Sequence, residues 1–200
     1  MFFNISNRIK KKRVLNDFKR MNKGVRFGEN LLLKNPQYIH CGPDTAIGAN
    51  SNLLCWDEYN GIPFERKPEL LIGKRFNATR GLTIQCARKV VIGDNVLIAS
   101  DVFIIDYNHG MSPLCENYLD NPLLISEGVF IEDGVWIGNN VVILPGVTIG
   151  KKSVIGAGAV VTKSIPAYSL ALGSPARVVK HYDFETDKWV EENKRNDKDH

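Results

Sequence analysis

VFIEDG, VWIGNN, VVILPG, VTIGKK, SVIGAG, AVVTKS: residues 129–164 fall into sixes, and that reading decides the fold. The third place of each six is Ile131, Ile137, Ile143, Ile149, Ile155 and Val161. The first place is Val129, Val135, Val141, Val147, Ser153 and Ala159, aliphatic or small throughout. With roughly one residue in four aliphatic, six in-phase hits arise by chance on the order of once in a few thousand. A period of six fits neither a helical face nor a long alternating strand. It fits very short strands joined by tight corners. Residues two apart in an extended segment point the same way, so Val135 and Ile137 both face inward. Gly138, Asn139 and Asn140 then supply a bend, because Gly and Asn tolerate positive φ. One such side cannot bury its own apolar pair, whereas stacked coils share a continuous core. The expected fold is all-β, a solenoid of stacked coils.

Weaker sixes extend the pattern towards the N-terminus. Phe27, Leu33 and Ile39 keep it, and Cys41, Ile47 and Leu53 resume it after a two-residue shift. Ile72, Ala78 and Ile84 follow, then Ile92, Ile98 and Ile104 with Val90, Val96 and Val102 as their inward partners. Two stretches break the rhythm: residues 56–69 (WDEYNGIPFERKPE) and residues 106–128 (DYNHGMSPLCENYLDNPLLISEG), the second predicted to protrude as a long loop. Insertions in a repeat array tend to carry function, because the scaffold holds them free of the core pattern.

The ends read differently. Ile9, Val14, Leu15 and Phe18 recur at helical intervals, with Ser6 as the N-cap and Gly24 as the stop, giving a helical cap over residues 1–24. Its task is to cover the open first coil. Residues 25–182 form the solenoid. Residues 183–200 read as a helical tail that packs Phe184 and Trp189 back on the body and frays at its end.

The totals narrow the function classes. Two hundred residues suit one domain with a real core, and the net charge is only +4. Basic residues gather early, in Lys10, Lys11, Lys12, Arg13, Lys19, Arg20, Lys23 and Arg26. They make either a solvated helix face or a weak attraction to an acidic membrane surface. Nothing accompanies them that resembles a nucleic-acid motif. Cys41, Cys55, Cys86 and Cys115 have no CxxC pairing, which points to reduced thiols in a cytoplasmic protein. No segment reads as a signal peptide or a membrane span.

The stretch VWIGNNVVILPGVTIGKKSVIGAGAVVTKSIPAYSLALGSPARVV, with GDNVLIASDVFIIDYNHG before it, resembles the hexapeptide-repeat acyltransferases, of the sugar and surface-polysaccharide O-acetyltransferase type. The resemblance covers nearly all of residues 77–180. It implies a three-sided, left-handed parallel β-helix, an exception to the usual right-handed crossover, and a homotrimer with sites between subunits. It also implies acetyl-CoA as co-substrate and no metal.

His109, in DYNHG at the root of the second insertion, is the catalytic candidate. Acyl transfer to a hydroxyl needs a base that titrates near neutrality, and imidazole is that base. The family places its catalytic histidine after the same coil. Asp106 could hold the second ring nitrogen, or serve as a turn residue; a backbone carbonyl could hold it instead. Tyr107 and Asn108 read as loop-shaping or acceptor-contact residues. Thr79 stands where sugar acetyltransferases carry an acceptor-contacting Asn, and Arg80 beside it could meet an anionic sugar or diphosphate. For the donor, the resemblance implies that Asn139 and Ala157 line the pantetheine groove and that Trp136 sits near the thioester. Thr162, Lys163, Arg177 and Lys180 then approach the nucleotide phosphates. The implied activity is acetyl transfer to a sugar hydroxyl in lipopolysaccharide O-antigen, capsule or exopolysaccharide synthesis. The alternatives are an N-acetyltransferase of an amino sugar nucleotide, a non-catalytic β-helical scaffold, and a zinc enzyme of the carbonic anhydrase type, which needs three gathered histidines.

Overall fold

The aliphatic places of successive coils lie on top of one another. Ile72, Ile92, Ile131 and Ile149 form one column in parallel register. Ala78, Ile98, Ile137, Ile155 and Ala171 form a second. Ile84, Ile104, Ile143 and Val161 form a third. Every one of these side chains is buried, and burying an aliphatic side chain of this size contributes about 1.5–3 kcal/mol. Three columns meeting along one axis are the core.

The computed structural model describes residues 5–192, with side chains from residue 13 onward. Three parallel sheets form the faces of a prism. The first contains Arg26–Phe27, Ala46–Ala49, Asn77–Arg80, Leu97–Ile98, Trp136–Ile137, Val154–Ile155 and Ser169–Leu172. The second contains Leu32–Lys34, Asn52–Cys55, Thr83–Cys86, Phe103–Ile105, Val142–Ile143 and Val160–Val161. The third contains Ile39–Cys41, Glu69–Ile72, Lys89–Ile92, Val129–Ile131 and Thr148–Ile149. The edge between the first and second faces repeats one device. Asn50, Gly81, Asp101, Asn140, Gly158 and Gly173 all take positive φ there, one per coil. Gly and Asn pass through this region at little cost, which is why they recur at the corner.

The N-terminal helix spans Ile5–Met21. It seats Phe18, fully buried, against Phe27 at 5.2 Å between ring centroids, and so closes the first coil. Ser6 lies inside this helix and does not cap it. Ile9 and Lys10 to Lys12 fall outside the described side chains. Among the four cysteines, all free, Cys55 and Cys86 are buried, Cys41 is half-buried and Cys115 is exposed. Burial pushes the Cys41 thiol up to about 12.

The tail corrects the sequence reading. Arg177–Asp183 turns back antiparallel on Ser169–Leu172, and Lys188–Glu191 pairs with it in turn. There is no helix at 184–192. The Asp183 carboxylate accepts from the Glu185 amide (2.9 Å) and the Thr186 hydroxyl (2.8 Å), and Asp187 takes positive φ to reverse the chain. Tyr182 and Trp189 then meet across the strands, edge to face at 5.4 Å. A helix would leave the Arg177–Asp183 edge unpaired, and the hairpin covers it. Phe184 reaches Tyr168 of the last coil at 4.8 Å. Residues 193–200 lie outside the described part.

Candidate active site

Both insertions leave the prism at the same edge, between the second and third faces. Residues 56–69 follow Asn52–Cys55, and residues 106–128 follow Phe103–Ile105. The first is not a bare loop. Glu58–Tyr59 pairs antiparallel with Ile62–Pro63 in a small hairpin. The second is an arm whose neck is also two-stranded, Tyr107–His109 against Leu123–Ile125, with a short turn of helix at Tyr118–Asp120 near its far end.

Asp106 ties that neck to the scaffold. It is fully buried, and its carboxylate accepts from the amides of Ala87 (2.7 Å), Arg88 (2.8 Å) and Lys89 (2.7 Å). Burial pushes its carboxyl above the ordinary carboxylate range, against the pull of those amides. Its own carbonyl accepts from the amide and hydroxyl of Ser126 across the neck, at 2.9 and 2.7 Å. Asp106 therefore neither orients His109 nor meets an acceptor, which corrects its assignment. Tyr107 is corrected too: it is buried, and its hydroxyl donates to Gln85 Oε1 at 2.5 Å. Burial raises that phenol to about 12. Asn108 and His109 are exposed at the neck.

The group that meets His109 comes from the other insertion. Tyr59 Oη lies 3.2 Å from His109 Nδ1 and 2.6 Å from the Leu119 carbonyl oxygen. The Tyr59 and His109 rings stand edge to face at 5.5 Å. Asn60 Nδ2 also donates to Leu119 O, at 2.9 Å. The hairpin and the arm are thus pinned together around the imidazole. Sequence reasoning missed Tyr59, because fifty positions separate the two rings and the hairpin carries no periodic signal.

The remaining candidates divide between two edges. Thr79, Arg80, Asn139 and Ala157 lie on the edge between the first and second faces, where Thr79 Oγ1 meets Ser100 Oγ at 2.9 Å. Asn139 Oδ1 accepts from the Ser100 amide (2.9 Å), and its carbonyl accepts from the Gly158 amide (2.8 Å). Trp136, half-exposed, stands on the first face in register with Leu97 and Val154. Arg177 and Lys180 extend that face, opposite Leu172 and Leu170. Thr162 and Lys163 are exposed on the His109 edge, two coils further along. Arg80 already pairs with Asp101 (3.2 Å) and Lys180 with Glu191 (2.8 Å). One chain therefore does not bring His109 together with Trp136, Asn139 and Ala157. Among the described residues no group of three His, Cys, Asp or Glu side chains converges to hold a metal ion, and no helix is long and apolar enough to cross a membrane.

Comparison with known proteins agrees with this architecture. The bacterial transferase hexapeptide family (six repeats) matches residues 128–163. A putative lipopolysaccharide biosynthesis O-acetyl transferase of Escherichia coli K12, WbbJ, is 42% identical over 112 residues, 53% of this chain and 57% of its own. The galactoside O-acetyltransferase of the same organism is 45% identical over 130 residues, 62% of this chain and 63% of its own. The matched parts thus span about three-fifths of these curated relatives. A solved galactoside acetyltransferase in complex with coenzyme A superposes with a TM-score of 0.57 at 27% identity, over 96% of this chain and 79% of that one. The prism shares its fold, a left-handed parallel β-helix, with solved hexapeptide-repeat structures.

Proposed function

We propose that this hexapeptide-repeat β-helix is an acetyl-CoA-dependent O-acetyltransferase acting on a sugar hydroxyl of a surface-polysaccharide precursor, in lipopolysaccharide O-antigen, capsule or exopolysaccharide synthesis. The observation that carries the reading is His109: an exposed imidazole on a two-stranded neck, held at one ring nitrogen and open at the other. The E. coli relatives, named for O-acetyl transfer to lipopolysaccharide and galactoside, support the acceptor class. The protein works in the cytoplasm, where acetyl-CoA is made.

In this mechanism the open ring nitrogen of His109 takes the proton of the acceptor hydroxyl as its oxygen bonds to the thioester carbonyl carbon. A backbone N–H of a neighbouring coil steadies the developing oxyanion. The carbon–sulfur bond then breaks, and the imidazolium returns its proton to the leaving thiolate. The products are an acetyl ester and free CoA thiol, with no acyl-enzyme and no metal.

The residues present fit the donor. The edge at Ala157 and Gly158 is bare: a Cβ built on Gly158 meets nothing within 4 Å, so a pantetheine arm can lie against the backbone there. Trp136 flanks that edge, and the exposed cations Arg177 and Lys163 suit the phosphates. The catalytic and donor residues stand on different edges of one prism. Three parallel prisms bring the His109 edge of one copy to the Asn139–Ala157 edge of the next, so the working form is a homotrimer with three shared sites. On this reading Asn108 from one copy and Thr79 and Arg80 from the next meet the acceptor.

Thiol release from acetyl-CoA with a panel of glycan-precursor acceptors is the test. His109→Ala should lower the rate about 10²- to 10⁴-fold, the usual worth of a positioned base. An undiminished rate in that variant would overturn the base, and transfer to amines alone would replace the O-acetyl reading with N-acetyl transfer.

A further inference from the structure

The hydrogen-bond chain at Tyr59 determines which nitrogen of His109 carries the proton. A carbonyl oxygen only accepts. At 2.6 Å from Leu119 O, the phenol oxygen must have its proton on that bond, since two bare oxygen lone pairs would repel at this distance. Tyr59 has one hydroxyl proton, so none is left for the imidazole. The 3.2 Å contact to Nδ1 is attractive only if Nδ1–H donates to a phenol lone pair. Neutral imidazole holds a single ring proton, and Nε2 is then left with its lone pair bare.

We infer that Tyr59 is a positioning residue, carried on the hairpin of the first insertion, that locks His109 in the Nδ1–H tautomer and leaves Nε2 as the base. The inference deepens the acetyl-transfer reading and rests on it for its kinetic consequence. Two further contacts, and the engagement of the nearest acid elsewhere, make the lock specific. The rings stand edge to face, and a flip of the imidazole would put Cδ2 in place of Nδ1 and lose the bond to Tyr59. Asn60 Nδ2 holds the same Leu119 carbonyl from the second side. The nearest acid in sequence, Asp106, is fully engaged with the amides of Ala87, Arg88 and Lys89 and cannot replace the phenol. The hydroxyl thus does what a carboxylate does beside many catalytic histidines, without adding a charge.

The test reads the tautomer directly, by ¹⁵N spectroscopy of the histidine rings in the full-length protein, with His109 assigned from the signals lost in His109→Gln. The expected wild-type result, at a pH where the ring is neutral, is a pyrrole-type Nδ1 and a pyridine-type Nε2. Tyr59→Phe keeps the ring packing and removes the hydroxyl, both the acceptor for Nδ1–H and one of the two donors to the Leu119 carbonyl, which Asn60 still holds. It should collapse that pattern towards a tautomer mixture and lower kcat about 10- to 100-fold, with KM for acetyl-CoA within about twofold. A pyridine-type Nδ1 in the wild type, or ring signals unchanged in Tyr59→Phe, would overturn the inference. The wild-type spectrum needs no turnover, and the variant used to assign it changes an exposed side chain outside the core. If the protein proves inactive as an acetyltransferase, the proposed function fails while the tautomer assignment stands or falls on its own signals.

Discussion

Lys152 turns a corner that asparagine or glycine turns elsewhere. On the edge between the third and first faces, Asn95 and Gly134 take positive φ as their residue types favour. Arg75, Lys152 and Tyr168 do the same on that edge against theirs. A side chain with a full Cβ pays about 1–2 kcal/mol in this region, which Asn partly recovers through local hydrogen bonds. Lys152→Asn should therefore stabilise the fold by about 0.5–1 kcal/mol, seen as a higher urea midpoint at unchanged slope. These corners also mark a limit of sequence reading at this scale. Asn139-Asn140 and Gly93-Asp94-Asn95 announce their bends, whereas nothing about Lys152 does: its conformation is imposed by stacking between two regular coils. Asp106 was misread for a different reason. Proximity to His109 suggested partnership, yet the alternation that buries Ile104 also buries the residue two places on. That parity was available in the sequence and points Asp106 inward.

The neck of the arm is where an element depends on one buried acid. The carboxylate of Asp106 satisfies three amides at the coil corner, and its carbonyl holds Ser126 across the neck. Asp106→Ala would leave those amides without their acceptor at a buried corner. The expected loss is about 3 kcal/mol or more, measured by urea unfolding. Transfer activity should fall as well, because His109 rides on the same strand. A variant as stable as the parent would show that water enters the corner and replaces the carboxylate. Elements built by the repeat were legible, since each aliphatic column is a consequence of spacing alone. The two hairpins were not. Glu58–Tyr59 with Ile62–Pro63 and the C-terminal pair are set by partners the spacing does not encode: the arm near Leu119 in one case, an open sheet edge in the other. An Asp followed three places on by Thr, as Asp183 and Thr186, serves a helix start as readily as a turn, and the unpaired edge decided between them.

At the scale of the whole molecule, the placement of residues on the prism forces a choice about assembly. His109 lies on one edge, while Asn139 and Ala157 lie on another, with Trp136 on the adjoining face. Either the chemistry uses one edge only, or a second copy completes it. Mixing two inactive variants separates these cases. His109→Ala removes the base and leaves the donor edge intact. Ala157→Trp fills the donor edge at an exposed position, where the larger side chain does not disturb the core, and leaves the base intact. In a trimer with shared sites, a site works when the base of an Ala157→Trp subunit faces the groove of a His109→Ala subunit. Random co-assembly of equal amounts gives that pairing at about one interface in four. The co-expressed mixture should then recover about a quarter of wild-type activity, while each variant alone stays inactive. A mixture as inactive as its components would place base and donor on the same prism and remove the reason for a shared site. Analytical ultracentrifugation of the same samples reads the assembly state independently, so loss of the trimer and loss of the shared site are told apart.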